Sequence, residues 1–202
     1  MTDSQTTVFT IGHSTLPYEQ FLALLKVAGI TAVADVRSAP FSRHQSQFNR
    51  DSLSLELKAD GIAYVFMGEE LGGRPKGAGF YCEGVADYER MAQAPAFKSG
   101  LARVMDGTAR HRIALMCSEQ DPLDCHRCLL VGRSLAQEGV RVRHVLPAGE
   151  IKEQAEIEAE LLLAAGLDGM DLFASPQERV MLAYRRRATK VAFTAQTVTA
   201  AE

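Results

Sequence analysis

Short runs of almost uninterrupted apolar residues alternate with longer stretches of helical periodicity along this chain. The apolar runs have the length of strands. They lack the polar–apolar alternation of a half-exposed strand, which is typical of strands buried on both faces of a sheet. The pattern predicts five strands, at residues 8–12, 32–36, 63–67, 113–117 and 140–146.

Helical patterns fill the intervals between the predicted strands, at residues 18–28, 51–59, 86–105 and 125–138. Gly29 and Gly139 are placed to end two of these helices, Pro95 to break the third and Asp124 to cap the last. Alternating strands and helices predict an α/β domain: a mainly parallel sheet of about five strands with helices on both faces. A partial or distorted βα barrel is the alternative, because strand order cannot be read from one sequence.

Charge divides the chain into three parts. Residues 1–149 hold 16 acidic and 16 basic residues, whereas residues 150–178 carry a net charge of −7 and residues 179–202 a net charge of +4. We predict an α/β domain with the candidate site over residues 1–149, a C-terminal helical extension packed on it over residues 150–193, and a disordered tail over residues 194–202. The extension should contain an acidic helix over residues 150–165 and a second helix from a capping box at Ser175 and Glu178 to about Arg187.

The composition is that of an ordinary globular protein, with 202 residues, 47% hydrophobic residues and a formal net charge of −3. This balance gives no general attraction to nucleic acid, and the apolar runs are too short to span a membrane. The first residues show no secretory pattern, so we expect a cytoplasmic protein. Four cysteines are too few for a disulfide scaffold and are expected to be thiols, buried apolar residues or metal ligands.

Polar, titratable and glycine residues crowd the predicted carboxyl ends of the first four strands, where ligands bind in open parallel sheets. The opposite strand ends are much less polar. The candidate catalytic residues are Asp35, Cys117, Glu119 and His126, and the candidate anion-binding residues are His13, Ser14, Arg37, Arg43, Gly72, Gly73 and Arg127.

The planar guanidinium groups of Arg37, Arg43 and Arg127 suit an anionic ligand such as a phosphate or a carboxylate. Arg127 adds the N-terminus of a predicted helix, where backbone N–H groups also favour an anion. Alternatively, Arg37 and Arg127 simply pair with Asp35 and Glu119. These two carboxylates, at the ends of neighbouring predicted strands, are the candidates for acid–base work.

Cys117 could act as a nucleophile with His126 as its base, or be a small buried hydrophobic residue. Its spacing to Cys125 differs from the phosphate loop of cysteine phosphatases. His13 and Ser14 could cap the first helix or contact a ligand. The basic loop over residues 72–79 is interpreted as a lid or as a solvated excursion.

Five potential metal ligands lie within twelve residues: Cys117, Glu119, Cys125, His126 and Cys128. No second Cys/His pair completes a tetrahedral structural zinc site, so we assign no metal ligand. A catalytic metal held by Asp35, Glu119 and His126 stays open, and the cofactor is unknown.

Six separated motifs resemble the bacterial and archaeal family called domain of unknown function 488. They lie at residues 10–14, 35–37, 42–49, 71–73, 116–119 and 125–127, and the resemblance spans about residues 8 to 147. It implies one domain and its landmark residues, but no reaction. Cys-Ser-Glu stands here where Cys-Ala-Glu is also usual, and Cys128 stands where a small polar residue is expected.

A separate motif in the tail, at residues 169–173, resembles the short peptide that bacterial replication proteins insert into the sliding clamp. Its leading Gln is replaced by Gly169, which favours simple packing of Leu172 and Phe173 under the last helix.

Two functions are compatible with these patterns. The first is an enzyme, a hydrolase or transferase, that acts on a phosphorylated small molecule, a nucleotide or a nucleic-acid end. The second is a non-catalytic ligand-binding or adaptor module whose C-terminal helices bind a protein partner. The expected partner is a small anionic ligand or a nucleotide; nucleic acid and a protein partner of the C-terminal helices stay open.

Overall fold

A central β-sheet organises the molecule, in a computed structural model that describes residues 5–169 and 173–195. The strands in this part of the chain are β1 (Thr7–Gly12), β2 (Ala32–Asp35), β3 (Ala63–Phe66), β4 (Tyr81–Cys82), β5 (Val85–Ala86), β6 (Ile113–Cys117), β7 (Arg141–Val145) and β8 (Ile151–Glu153). Six of them form one open sheet in the order β3-β2-β6-β1-β7-β8, while β4 and β5 make a separate hairpin. The first five strands of that order are parallel, and β8 is antiparallel to β7. The predicted α/β class and its five parallel strands are confirmed.

Helices connect the strands and continue beyond them. They are α1 (Tyr18–Val27), α2 (Arg50–Ala59), α3 (Gly68–Leu71), α4 (Tyr88–Gln93), α5 (Pro95–Gly107), α6 (Arg133–Gln137), α7 (Gln154–Ala165) and α8 (Pro176–Val191). Short 3-10 turns occupy Ser46–Phe48, Ala78–Phe80 and Pro122–Asp124, and a π-helical turn spans Arg127–Gly132. Pro95 divides the predicted helix over residues 86–105 into α4 and α5, because proline is favoured at a first helical turn and breaks a helix interior.

Both faces of the sheet are covered at β1, β2 and β6, as their uninterrupted apolar runs predict, whereas the edge strand β3 is exposed or half-buried along its length. Along β6, Ile113, Leu115 and Cys117 pack on the face of α4 to α8, whereas Ala114 and Met116 pack on the face of α1 and α2. This alternation follows from the two-residue period of a strand. It assigns each strand-end side chain to one face or the other.

Two predicted helix starts are wrong. The first is at Cys125, whose extended backbone separates the Pro122–Asp124 turn from the helical segment; Asp121 caps that turn, and Asp124 caps nothing. The second is in the acidic segment, where residues 151–153 pair with β7 as β8 and α7 begins only at Gln154. The pairing of β8 is stabilised because the Glu153 carboxylate accepts hydrogen bonds from Arg141 and Arg143 on the neighbouring strand.

The capping box that begins α8 is confirmed. The Glu178 N–H donates to Ser175 Oγ over 3.2 Å, and the Ser175 N–H donates to Glu178 Oε2 over 2.7 Å. The helix continues beyond Arg187 to Val191.

The C-terminal segment returns to the α/β domain after α8. The Ala86 N–H donates to the Phe193 carbonyl, and Thr194 forms an isolated bridge with Val85. The predicted tail over residues 194–202 lies outside the described residues from 196 onward. The clamp-like motif is likewise outside them at residues 170–172. Among the helices that are described, none combines the length and the apolar character needed to cross a membrane.

Candidate functional site

A cleft of about 210 Å³ opens at the carboxyl ends of β2 and β6. Its lining residues come from six separate parts of the chain: Arg37, Ser38, Ala39, Gly73, Arg74, Tyr88, Cys117, Ser118, Glu119, Asp124, Cys125, His126, Val191 and Phe193. This is the strand edge at which the sequence predicts a site.

Two thiols and an imidazole converge in the wall of this cleft. His126 Nδ1 lies 3.6 Å from Cys117 Sγ and 3.9 Å from Cys125 Sγ. On the other side of the ring, Nε2 lies 2.9 Å from the carbonyl oxygen of Val36. A carbonyl oxygen can only accept, so Nε2 carries a proton and donates it, and Nδ1 faces the sulfurs. We call Cys117, Cys125 and His126 the thiol–imidazole cluster.

Arg127 positions the loop that joins the two cysteines. Its guanidinium is fully buried and donates to the carbonyls of Glu119 and Gln120. Its backbone N–H donates to Cys125 Sγ over 3.4 Å. The residue therefore fixes the loop after β6 and holds Cys125 in place, rather than presenting its charge to the cleft.

Two glycines allow close approaches around the cluster. A methyl group on Gly73 would lie 2.7 Å from Cγ of the His126 ring, so Gly73 packs directly against that ring. A methyl group on Gly12 would lie 1.8 Å from the carbonyl oxygen of Glu119, which is backbone that cannot easily move. A side chain at either position would displace parts of the site.

Burial and close neighbours shift the pKa values of the two thiols of the cluster in opposite directions. Burial opposes ionisation of Cys125, but the hydrogen bond from the Cys117 thiol, the charge of Arg127 and the contact with His126 lower the pKa of Cys125 overall. Its hydrogen bond to Cys125, together with burial, raises the pKa of Cys117. Burial and the nearby Cys125 also raise the pKa of Glu119, a cleft carboxyl group.

Asp35 and Arg37 form a closed ion pair. Arg37 Nε donates to Asp35 Oδ1 over 2.9 Å and Arg37 Nη2 to Asp35 Oδ2 over 2.6 Å. Asp35 also accepts from the Tyr64 hydroxyl over 2.6 Å, and its side chain is fully buried. In register, Asp35 pairs with Met116, one residue before Cys117, and it is Arg37 rather than Asp35 that reaches the cleft lining.

His13 holds Arg37 from the opposite side. Its ring stacks on Phe48 at a centroid distance of 4.2 Å, its Nδ1 donates to the Ser14 carbonyl, and its Nε2 accepts from Arg37 Nη1 over 3.1 Å. Burial and the Arg37 charge lower the pKa of His13 to about 4, so the ring is neutral near pH 7. Ser14 has a left-handed backbone, and its N–H donates to the Ser118 carbonyl. Neither side chain caps α1, so the capping interpretation is wrong.

The remaining predicted residues lie apart from the cluster. Arg43 is exposed and does not line the cleft. Gly72 packs on Ser38, whose hydroxyl accepts from the Arg74 N–H over 2.9 Å. The loop over residues 72–79 thus contributes Gly73 and Arg74 to the cleft.

Sequence reasoning missed three parts of the site. The sequence presents Cys125 only as a potential metal ligand at the start of a helix and Arg74 only as part of a basic loop, and it gives no indication of Phe193. The Arg74 guanidinium lies 4.9 Å from the centroid of the Phe193 ring, which closes one side of the cleft. The charge of Arg74 was a usable signal, whereas nothing near Phe193 in the sequence relates it to a strand end.

The family model described as Domain of unknown function DUF488 matches residues 17–133, more than half of the chain. The chain belongs to this family. The domain of unknown function 488 match includes the whole thiol–imidazole cluster and the Asp35–Arg37 pair, but it stops before α7 and α8. The Phe193 wall of the cleft therefore lies outside the matched region. No curated protein and no solved structure matches the chain.

Proposed function

We propose that this protein is an enzyme that binds a small anionic substrate in the strand-end cleft, with the thiol–imidazole cluster as its reacting centre. The observation that carries the proposal is the convergence of Cys117, Cys125 and His126 in the wall of that cleft. Buried nucleophilic and basic groups that share one cleft are typical of active sites. Hydrolysis of a phosphorylated compound, or transfer from it, is the reaction class that we propose.

Arg74 supplies the attraction for an anion. Its side chain is exposed at the cleft, and among residues 5–169 and 173–195 no carboxylate lies within ion-pair distance of it. The ring of Phe193 orients the guanidinium, and stacking leaves the guanidinium N–H edge free to donate. Arg37 is paired with Asp35, and the Arg127 guanidinium donates to backbone carbonyls. These two arginines therefore contribute to the electrostatic potential of the cleft at long range.

The cluster supplies the chemistry. Two carboxyl groups line the same cleft; Asp124 is paired with Arg187, which leaves Glu119 to exchange a proton with the substrate. The adaptor alternative has less support, because Val191 at the end of α8 and Phe193 just after it form part of the cleft wall. A protein partner for the C-terminal helices stays a prediction.

Calorimetric titration tests the proposed substrate class. Inorganic phosphate and a panel of nucleoside mono-, di- and triphosphates are titrated into the parent chain, into Arg74→Gln and into the control Arg110→Gln, which alters an exposed arginine at the opposite strand ends. We expect Arg74→Gln to weaken binding roughly 10- to 100-fold, the worth of one charge-assisted hydrogen bond, and Arg110→Gln to bind like the parent. A parent that binds none of these anions, or equal loss in both variants, would overturn the proposal.

A further inference from the structure

We infer that Cys117, Cys125 and His126 bind one divalent transition metal of the zinc class, with its fourth coordination position open to the cleft. All three potential ligand atoms lie within 4.8 Å of one another. The distances from His126 Nδ1 to the two sulfurs are 3.6 and 3.9 Å, and they can be compared with the sulfur–nitrogen distance between ligands of a tetrahedral zinc site. Metal–sulfur bonds of about 2.3 Å and a metal–nitrogen bond of about 2.0 Å at a tetrahedral angle separate sulfur and nitrogen by about 3.5 Å.

The imidazole is held as a metal-binding histidine usually is. His126 Nε2 donates to the Val36 carbonyl, which fixes the ring and its tautomer and leaves the Nδ1 lone pair facing the two sulfurs. Gly73 packs against the same ring and limits its rotation. A histidine that binds zinc usually donates its other ring N–H to a carbonyl or a carboxylate in this way.

The sulfurs also have outer partners. The Arg127 N–H donates to Cys125 Sγ, and the buried Arg127 guanidinium offsets part of the negative charge of two thiolates. Two thiolates and one imidazole form a soft donor set. Such a set favours zinc, cobalt and ferrous iron over the hard cations magnesium and calcium.

The donor count points to a reactive metal rather than a structural one. Among the described parts of the chain, no fourth Cys, His, Asp or Glu joins the group, and all three donors line the cleft. Catalytic zinc sites keep three protein ligands and an open position for water or substrate, whereas structural sites have four. A metal-bound water there would be acidified, and Glu119 lines the same cleft to accept its proton. This last use of the metal rests on the proposed function; the binding of the metal does not.

The third buried cysteine of the chain offers a matched control. Cys128 is fully buried three residues after Cys125, but its sulfur contacts Gln154 on α7 instead of the His126 ring. Cys82 is exposed and is replaced by serine in every protein used, so that it cannot bind metal adventitiously.

The test uses the full chain, reduced and stripped of metal with a chelator. Cobalt is titrated in and followed by its thiolate charge-transfer band and its visible bands, and zinc-loaded protein is measured by X-ray absorption. We expect one equivalent of metal, two sulfurs at about 2.3 Å and nitrogen or oxygen at about 2.0 Å. Cys117→Ser and Cys125→Ser should each lower the sulfur count to one and weaken binding roughly 100-fold or more, beyond the effect of an outer partner. Cys128→Ser should leave the sulfur count and the metal affinity unchanged.

Absence of a charge-transfer band in the parent, fewer than two sulfurs, or a loss in Cys128→Ser equal to that in Cys125→Ser would overturn the metal site. If a ligand variant does not fold, the sulfur count of the parent and of Cys128→Ser still decides. Phosphate titration of the zinc-loaded and metal-free chain separates the two proposals. A chain that binds phosphate through Arg74 but takes up no metal overturns only the metal site, and a chain that takes up zinc but no anion overturns only the proposed substrate.

Discussion

At the scale of single residues, burial decides which titratable groups are free to react. His144 shows this outside the cleft: its ring is fully buried, Nδ1 pairs with the Thr10 hydroxyl over 2.9 Å, and Nε2 donates to Gln154 Oε1 over 2.8 Å. Burial lowers its pKa to about 4, so the folded protein keeps this histidine neutral where the unfolded chain would protonate it. His144 and His13 are structural groups, whereas His126 faces two thiols.

This shift predicts an acid sensitivity of folding. Because the folded pKa is below the unfolded value of 6.5, the stability that neutral His144 contributes is complete above about pH 6.5 and is lost as pH falls toward 4. We expect His144 to account for about 2 kcal/mol of the fall in unfolding free energy between pH 7 and pH 4.5. Urea denaturation of the parent, of His144→Asn and of His111→Asn at both pH values measures it. An equally steep fall in His144→Asn would show that this ring does not carry the effect.

At the scale of elements, α8 and the residues after it complete the cleft. The helix packs on the domain through the buried side chains of Ala183 and Tyr184, with exposed ion pairs of Arg185 and Arg187 at its surface, and the Phe193 ring that follows it lies against Arg74. An exposed cation–aromatic contact is worth about 0.5–1 kcal/mol. The Phe193 ring should therefore strengthen anion binding by ordering Arg74.

Phe193→Ala should weaken phosphate binding about two- to five-fold, which corresponds to that contact energy. Phe41→Ala is the matched control, because Phe41 is 70% exposed and does not line the cleft. Calorimetric titration of both variants measures the difference. Unchanged affinity in Phe193→Ala would show that the C-terminal segment has no part in binding.

The elements also show what a single sequence can predict. The parallel strands could be predicted from their apolar runs, which in β1, β2 and β6 reflect burial on both faces, although the edge strand β3 has the same kind of run and is exposed or half-buried. The strand β8 could not, since it is three residues long and mostly charged, and it depends on Glu153 meeting Arg141 and Arg143 across the sheet. Such a pairing depends on register, which local patterns do not contain.

At the scale of the whole molecule, the sequence places the polar residues correctly at one edge of the sheet but cannot divide them between its faces. Asp35 is in register with Met116, which packs toward α1 and α2, while Cys117 packs toward the opposite face. The sequence predicts one site that contains Asp35, Arg37 and Cys117. In the structure, Asp35 and Arg37 form a closed ion pair, and Cys117 belongs to the neighbouring thiol–imidazole cluster. Only the three-dimensional fold brings the thiol–imidazole cluster together with Phe193, which follows the last helix.

The central claim is that the thiol–imidazole cluster is a metal-binding centre facing an anion-binding cleft. A crystal structure of the full chain grown with zinc and phosphate, with anomalous data collected on both sides of the zinc absorption edge, tests it most directly. We predict one anomalous peak within bonding distance of Cys117 Sγ, Cys125 Sγ and His126 Nδ1, and phosphate density on its open side within hydrogen-bond distance of Arg74. Zinc bound elsewhere, with the three side chains apart and no anion in the cleft, would contradict the account.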